Sequence, residues 1–242
     1  MKLFFFKPAF LILPLCFAVL PLSSCAARID GSLSADGSAA LSVSTSLEPR
    51  MTNLIRSLAA AGGQSQAGGP VLDGPAIAQS MSNAPGVARV SLANTGPSAL
   101  EGAVQISDIN RFLAVGDVGG FVSFEQGRNG GSCEISISRD NGPVILALLS
   151  PEISDYLSAL MAPLATGEEL SKPEYLQLVT SVYNRAVSDE IAGSRIRASI
   201  DFPGLVTSVR GGTFSGRRAN FDIPLLDLLV LETPLSYVVR WN

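Results

Sequence analysis

The groups of this chain that could take part in catalysis are carboxylates and thiols, because the sequence contains no histidine. The absence of imidazole excludes histidine-based triads, histidine-ligated zinc and histidine general acid–base chemistry. Neighbouring carboxylates occur at Glu168 and Glu169 and at Asp189 and Glu190. Both pairs lie on polar flanks of predicted helices, where solvated charge is the usual explanation. We therefore predict a noncatalytic protein without metal or cofactor, and a carboxylate-based hydrolase is the weaker alternative.

Glycine clusters are the next candidates for chemistry, at residues 116–120, 127–131 and 211–216. None is followed by Lys-Ser or Lys-Thr, and none joins a buried parallel strand to a helix, as a phosphate-binding loop requires. We interpret all of them as turns. The chain carries a net charge of −4. It has no basic field to replace the counterions of nucleic acid, so nucleic acid is not an expected partner.

The N-terminal segment has the composition of a secretion signal. Lys2 and Lys7 accompany an apolar stretch over residues 8–22. A helix that spans a bilayer needs about 20 apolar residues, whereas the apolar part of a signal peptide has about 7 to 15. We therefore predict that residues 1–24 are a signal peptide and that residues 25–242 are the mature protein.

The apolar stretch ends in Leu22-Ser23-Ser24-Cys25. This tetrapeptide resembles the lipobox of bacterial lipoproteins. The resemblance implies cleavage between Ser24 and Cys25 and a diacylglyceryl group on the Cys25 thiol, and two acyl chains give stable membrane attachment. The expected location is the bacterial cell envelope, on its periplasmic face or at the cell surface. The alternative is an ordinary signal peptide, cleaved near Ser24 or Ala27, followed by a chance cysteine.

Signal removal simplifies the cysteine chemistry. Cys16 leaves with the signal, Cys25 carries lipid and Cys133 has no partner, so no intramolecular disulfide is expected. Alternation places Cys133 on the same face of a predicted strand as Ile135 and Ile137. We predict that its thiol behaves as a small core hydrophobe rather than as a nucleophile.

Charge is unevenly distributed along the mature chain. Residues 146–194 carry a net charge of −5, whereas residues 195–242 carry +2. Among the basic residues, Arg217 and Arg218 stand in a glycine-flanked turn. Guanidinium groups suit bidentate contacts with phosphate or carboxylate. These two arginines are therefore the candidate contact for a lipid headgroup phosphate or for a carboxylate of a partner protein.

The first half of the mature chain predicts a hairpin, a helix and further strands. Asp36-Gly37 separates two alternating runs, which is a strong hairpin signal. Residues 47–58 have helical apolar spacing. Residues 62–75 form a glycine-rich loop that we interpret as a flexible connection. Strands are predicted at 87–92, 99–106, 121–125 and 133–138, and a short helix after Asp108.

The second half begins with two amphipathic helices and ends in strands. Pro151 opens the first helix, and Ser171 with Glu174 forms a capping box for the second, whose apolar stripe continues to Ala186. Residues 144–149 are apolar throughout and predicted to be buried, and 225–231 is either a short helix or a lip over the core. Strands are predicted at 195–202, 206–209, 219–223 and 236–241. The expected fold is α+β: an antiparallel β-sheet with amphipathic helices packed on one face, in a single domain over residues 25–242.

Short motifs at both ends of the mature chain resemble one known family. Residues 200–206 (IDFPGLV), residues 221–225 (FDIPL) and a terminal strand ending at Trp241 look like the C-terminal motif of LppM-type bacterial lipoproteins. The opening Cys25 and the first hairpin are similar to the start of that family. The resemblance covers about a third of the chain and leaves the helical middle unmatched. It implies an α+β envelope domain that binds a lipid or glycolipid, and it assigns no ligand residues here.

Two functional hypotheses follow. The first is a membrane-anchored, noncatalytic lipoprotein that binds a lipid or other amphiphile between the sheet and the helices of Tyr156 and Tyr183. The second is a structural or protein-interaction lipoprotein, which an exposed apolar patch without an internal cavity would favour. Plain core packing is the alternative role of the two tyrosines.

Overall fold

The computed structural model describes residues 25–61, 69–114, 121–142 and 151–242. Within these ranges the chain forms eleven strands and eight helices, so the expected α+β class is confirmed. The strands are β1 (Cys25–Leu33), β2 (Ala39–Ser46), β3 (Val87–Gly96), β4 (Ala99–Ile106), β5 (Val122–Gly127), β6 (Gly130–Ile137), β7 (Arg195–Asp201), β8 (Val206–Arg210), β9 (Thr213–Ser215), β10 (Arg218–Pro224) and β11 (Leu235–Trp241). The helices are α1 (Pro49–Ala61), α2 (Gly74–Ser82), α3 (Ile109–Leu113), α4 (Pro151–Ala159), α5 (Pro163–Thr166), α6 (Lys172–Val182), α7 (Arg185–Gly193) and α8 (Leu225–Val230).

The strands form two sheets. The larger sheet has seven strands in the order β3-β4-β2-β1-β7-β10-β9, and the smaller has four in the order β5-β6-β11-β8. Neighbouring strands are antiparallel except for β1 and β7, which run parallel with Ile29 opposite Ala198. The N-terminal strand therefore lies in the middle of the larger sheet, beside a strand from the C-terminal part of the chain.

The two sheets pack against each other through a sandwich core. Strict alternation along each strand sends one set of side chains inward. The buried residues come from both sheets and from α3. At the centre, the Trp241 ring contacts two others: it stacks on Phe124 and packs against Phe202 with a centroid separation of 5.1 Å. The buried members are Leu33, Ala39, Val104, Ile106, Leu113, Phe124, Phe202, Val206, Ala219, Val239 and Trp241.

The helices build a second, separate helical core. The sequence predicts that the two amphipathic helices lie against the sheet, but α4 and α6 pack on other helices instead. Tyr175 and Val179 of α6 and Ile191 of α7 are almost fully buried there. The buried members of this cluster come from helices and the segments that join them: Met51, Ile55, Val71, Leu160, Ala162, Tyr175, Val179, Val187, Ile191, Leu229 and Val230.

Local sequence signals explain several turns and helix ends. In the first hairpin, the Asp36 carboxylate accepts hydrogen bonds from the backbone N–H and the hydroxyl of Ser38, and Gly37 adopts φ +82°. Asp108 caps α3 by accepting from the backbone N–H of Arg111. The capping box of Ser171 and Glu174 is present at the start of α6. These elements form where the sequence predicts them because their stabilising contacts are local.

Other elements differ from the prediction. The stripe expected to run to Ala186 is broken, since α6 ends at Val182 and the Asn184 side chain caps a new helix by accepting from the backbone N–H of Val187. The glycine-rich loop is shorter at its C-terminal end than expected, because Asp73 caps α2 at Gly74. Both differences have the same cause: a side chain accepts a hydrogen bond from a backbone N–H group and so starts a helix that the apolar pattern does not indicate. The three-residue strand β9 was not expected either.

Three expectations concern residues outside the described ranges. They are the signal peptide at residues 1–24, the buried apolar stretch at residues 144–149 and the glycine turn at residues 116–120. Most of the glycine-rich loop, residues 62–68, also lies outside them. These expectations stay predictions.

Gly102 on β4 provides a test of the larger sheet. A Cβ atom at this position would stand 1.9 Å from the backbone oxygen of Ser91 on β3, so the two strands would have to separate. We expect Gly102→Ala to destabilise the mature chain by about 1 to 3 kcal/mol in urea unfolding, the usual range for overpacking.

Gly193 is the matched control for this substitution. It ends α7, and a Cβ atom there would have no neighbour within 4 Å. Gly193→Ala should leave stability unchanged or raise it by up to about 1 kcal/mol, because alanine favours a helix over glycine. Equal effects of the two variants would contradict the close approach of β3 and β4.

Candidate functional site

Cys25 lies at one end of the larger sheet, which we call the anchor end. Cys25 is the first residue of β1 and pairs with Arg195, the first residue of β7. β2 and β10 finish at this same end, since Thr45 pairs with Ala27 and Pro224 pairs with Arg195. No stretch of loop therefore separates the lipidation candidate from the folded domain.

The helical core is attached at the anchor end. β2 leads into α1, α7 leads into β7, and β10 continues directly into α8. The backbone N–H of Leu225 donates to the carbonyl of Ser194 at 2.9 Å, which ties the start of α8 to the end of α7. The opposite end, which we call the far end, carries the turns that follow β7 and precede β10. The seven residues of β7 extend about 20 Å between the two ends.

A row of aliphatic side chains lies on the inner face of the larger sheet, close to the anchor end. Val43, Ile29, Ile196 and Ile223 belong to the adjacent strands β2, β1, β7 and β10, and the register pairs Ile29 with Val43 and Ile196 with Ile223. The two pairs are offset by two residues, since Ile29 lies opposite Ala198 and Ile196 opposite Ala27. All four are only half-buried. Within the described residues, none of them belongs to the sandwich core or to the helical core. This aliphatic row is the apolar surface that the two cores leave partly open.

The outer face of the same sheet is polar and crossed by ion pairs. Arg28 pairs with Asp30 at 2.6 Å, Arg195 with Asp222 at 2.7 Å, and Arg218 with Asp201 at 2.5 Å. The hydrogen bond from Arg28 lowers the pKa of Asp30, and the hydrogen bond from Arg218 lowers the pKa of Asp201. Because the side chains are substantially exposed, each pair adds little stability.

Shallow depressions on this polar face contain further hydroxyl and guanidinium groups. One of about 270 Å³ is lined by Arg28, Ser44 and Glu101, and another of about 550 Å³ by Ser199, Asn220 and Asp222; Arg197 lines both. They are open depressions rather than enclosed cavities. Their linings combine hydrogen-bonding groups with apolar surface, and neither depression encloses the space that a buried acyl chain would occupy.

Arg217 and Arg218, the predicted headgroup or partner contact, lie at the far end. The Arg217 side chain donates to the backbone carbonyl of Phe202 at 2.9 Å, and Arg218 is engaged by Asp201. Both guanidinium groups thus have partners within the chain. An external contact through either arginine stays a prediction, but it would be made at the end opposite Cys25.

Tyr156 and Tyr183, expected beside a ligand between helices and sheet, pack within the helical core. The Tyr183 hydroxyl donates to the carbonyl of Ala159. Tyr175, which the sequence did not single out, is fully buried and donates to the carbonyl of Leu160 at 3.3 Å. Burial raises the pKa of Tyr175 far above its ordinary value, and this environment is typical of a structural tyrosine.

The two carboxylate pairs are separate surface features. Glu168 and Glu169 are exposed between α5 and α6, and Asp189 faces Arg185 one turn away at 3.6 Å. Burial, and secondarily the charge of Glu48, raises the pKa of Glu190. Among the described residues, no group of three or more Cys, Asp and Glu side chains is arranged to hold a metal ion. The described helices also include none that is long and apolar enough to cross a membrane.

Comparison with known proteins yields one distant structural likeness. No protein-family model and no curated protein match the sequence. Among solved structures, the fold is similar to the NMR structure of the folded domain of LppM from Mycobacterium tuberculosis, with 13% sequence identity and a TM-score of 0.42, over 93% of this chain and 94% of that one.

Cys133 gives a direct test of the sandwich packing. Its side chain packs against the sandwich core, and burial raises the pKa of the thiol from 9.0 to about 11. Because of this raised pKa, the thiolate fraction at pH 8 should be about 100-fold lower than in the unfolded chain. The thiolate is the reactive form of cysteine, so the reaction rate should fall with it. In a Cys25→Ser variant of the mature chain, we expect Ellman's reagent to modify Cys133 at least 100-fold more slowly under native conditions than in urea. Similar rates in the two conditions would contradict this placement.

Proposed function

We propose that this chain is a noncatalytic lipoprotein of the bacterial cell envelope, anchored through a diacylglyceryl group on Cys25, and that its domain binds the acyl part of a lipid or other amphiphile along the aliphatic row. The lipobox-like tetrapeptide supports the anchor and the envelope location. The observation that carries the ligand proposal is the partial exposure of Ile29, Val43, Ile196 and Ile223 beside the anchor end.

The position of the row suits such a ligand. At the anchor end, Ile196 is next to the first residue of β7 and Ile223 is next to the last residue of β10. An acyl chain that approaches from the membrane would therefore reach these two residues at the anchor end. Covering half-exposed aliphatic side chains is favourable by about 25 cal/mol per Å² of apolar surface removed from water. The ligand site thus differs from the one expected between the sheet and the tyrosine-bearing helices.

A second candidate function is a structural or protein-interaction lipoprotein. Leu205 and Phe214 favour it, because they are 59% and 47% exposed at the far end. Leu205 precedes β8, whose first N–H donates to Gly216 in the turn that follows Phe214. Exposed large apolar side chains in one region are a common feature of protein contacts. This function uses the far end and leaves the aliphatic row without a ligand.

The proposed anchor predicts that Cys25 is acylated in the cell. Expression of the full chain in a bacterial host with labelled palmitate should give a labelled product in the membrane fraction. Cys25→Ser should remove the label and the stable membrane attachment, since no other mature residue is expected to carry lipid. Cys133→Ser is the matched control and should keep both. Persistent labelling of Cys25→Ser would contradict the anchor.

The proposed ligand site predicts that Val43 contributes to lipid binding. In a Cys25→Ser mature chain, we expect cis-parinaric acid to bind and Val43→Ser to weaken its binding about tenfold, through loss of roughly 1.5 kcal/mol of apolar contact. Val43→Phe keeps the site apolar and should weaken binding by filling it. Titration of the probe fluorescence measures both effects.

Val182 is the matched control, because it is 52% exposed at the end of α6 and is not a member of the row. Val182→Ser should bind the probe like the parent chain. Native mass spectrometry of protein purified from a lipid-rich host should also show bound lipid. If the purified protein carries no lipid and the probe does not distinguish the Val43 and Val182 variants, the interaction function is favoured instead.

A further inference from the structure

The two helices beside the strand that begins at Cys25 differ in charge. β1 lies between β2 and β7, and these strands connect at the anchor end to α1 and α7. α1 carries Arg50 and Arg56 and no acidic residue, whereas α7 carries Arg185 against Asp189 and Glu190. One flank of the anchor residue is therefore basic and the other is net acidic.

The arginines of α1 lie on its solvent-exposed face. Met51 and Ile55 point into the helical core, while Arg50, Asn53 and Arg56 are exposed. The two arginines are six positions apart in the sequence, which corresponds to about 9 Å along the helix axis. No ion pair joins either arginine to a carboxylate among the described residues, in contrast to Arg28, Arg195 and Arg218 on the polar face. The charge of Arg56 is therefore available to an external anion, and that of Arg50 is shared with Glu190 of α7, which it attracts.

The anchor fixes which external surface this helix meets. A strand that begins at the proposed lipidated residue leaves no loop between anchor and domain, so the elements beside Cys25 stay near the lipid headgroups while the domain can still tilt about the anchor. An anionic membrane surface attracts nearby basic side chains and repels the acidic residues of α7. The basic charge of α1 and its position beside Cys25 therefore both indicate that this helix faces the membrane surface.

We propose that the exposed face of α1, through Arg50 and Arg56, docks on the phosphate groups of an anionic membrane, with the far end pointing away from the bilayer. This inference rests on the proposed anchor at Cys25. It assigns the headgroup contact to α1 in place of Arg217 and Arg218, which lie about 20 Å further along the sheet.

Trp241 is a built-in reporter of this orientation, because it is the single tryptophan of the chain. Its ring packs against Phe202, the residue after β7, and therefore lies at the far end. The mature chain with Cys133→Ala has Cys25 as its only thiol and can be coupled through it to a maleimide lipid. Energy transfer from Trp241 to a dansyl-labelled headgroup lipid then measures how close the far end comes to the surface.

On phosphatidylcholine–phosphatidylglycerol vesicles at low salt we expect weak transfer. Arg50→Gln with Arg56→Gln should lower the ratio of docked to undocked domains about 25-fold, since each arginine near such a surface contributes about fivefold. Transfer should then rise, as it should on pure phosphatidylcholine vesicles and at high salt. Arg217→Gln with Arg218→Gln is the matched control and should leave transfer unchanged.

If energy transfer is strong in the parent chain and falls in the variant with Arg217→Gln and Arg218→Gln, the membrane contact lies at the far end and the proposal is overturned. Equal transfer for the parent chain and the α1 variant would overturn it as well. Chemical coupling replaces cellular acylation in this experiment, so it tests the docking of α1 independently of the proposed anchor. The anchor itself is tested by palmitate labelling in the cell.

Discussion

β1 pairs with β2 along one edge and with β7 along the other, and the parallel pairing with β7 holds the larger sheet together. Without β1, the strands β3, β4 and β2 would be separated from β7, β10 and β9. The inner face of the sheet would then lose the continuous surface on which the smaller sheet packs. The aliphatic row would also be divided, because Ile29 connects Val43 on one side with the residues of β7 on the other. One strand, beginning at Cys25, thus joins the proposed anchor, the sandwich core and the proposed ligand site.

The parts of the fold that the sequence predicts are those stabilised locally. The hairpin at Asp36-Gly37, the cap at Asp108 and the capping box at Ser171 each involve residues a few positions apart. The division into two sheets and the parallel pairing depend on contacts between distant segments, which alternation alone does not specify. Asn184 is an intermediate case: it carries a local cap signal, but the apolar spacing through Ala186 favours one continuous helix.

The same distinction applies to the candidate sites. The motif at Cys25 is contiguous and can be recognised directly. Alternation correctly places Ile196 on an inward face, yet it cannot show that two cores leave this residue half-buried. Arg217 and Arg218 stand out in the sequence because they are adjacent, but the fold engages them with Phe202 and Asp201. Arg50 and Arg56 were less conspicuous, and their significance depends on which strand lies beside α1.

The central position of β1 has a consequence for the order of events during maturation. Its partner β7 is made only after most of the chain has been synthesised, and a pairing between such distant segments forms late in folding. Under the proposed export and anchoring, the N-terminal segment would be presented first, and β1 would stay beside the membrane with one edge unpaired. The proposed cleavage before Cys25 and modification of its thiol would need an extended, accessible chain, whereas the folded sheet holds this residue opposite Arg195. The proposed processing at Cys25 would therefore have to come before the sheet closes, and a delay in it would prolong the time during which the edges of β2 and β7 are open to other chains.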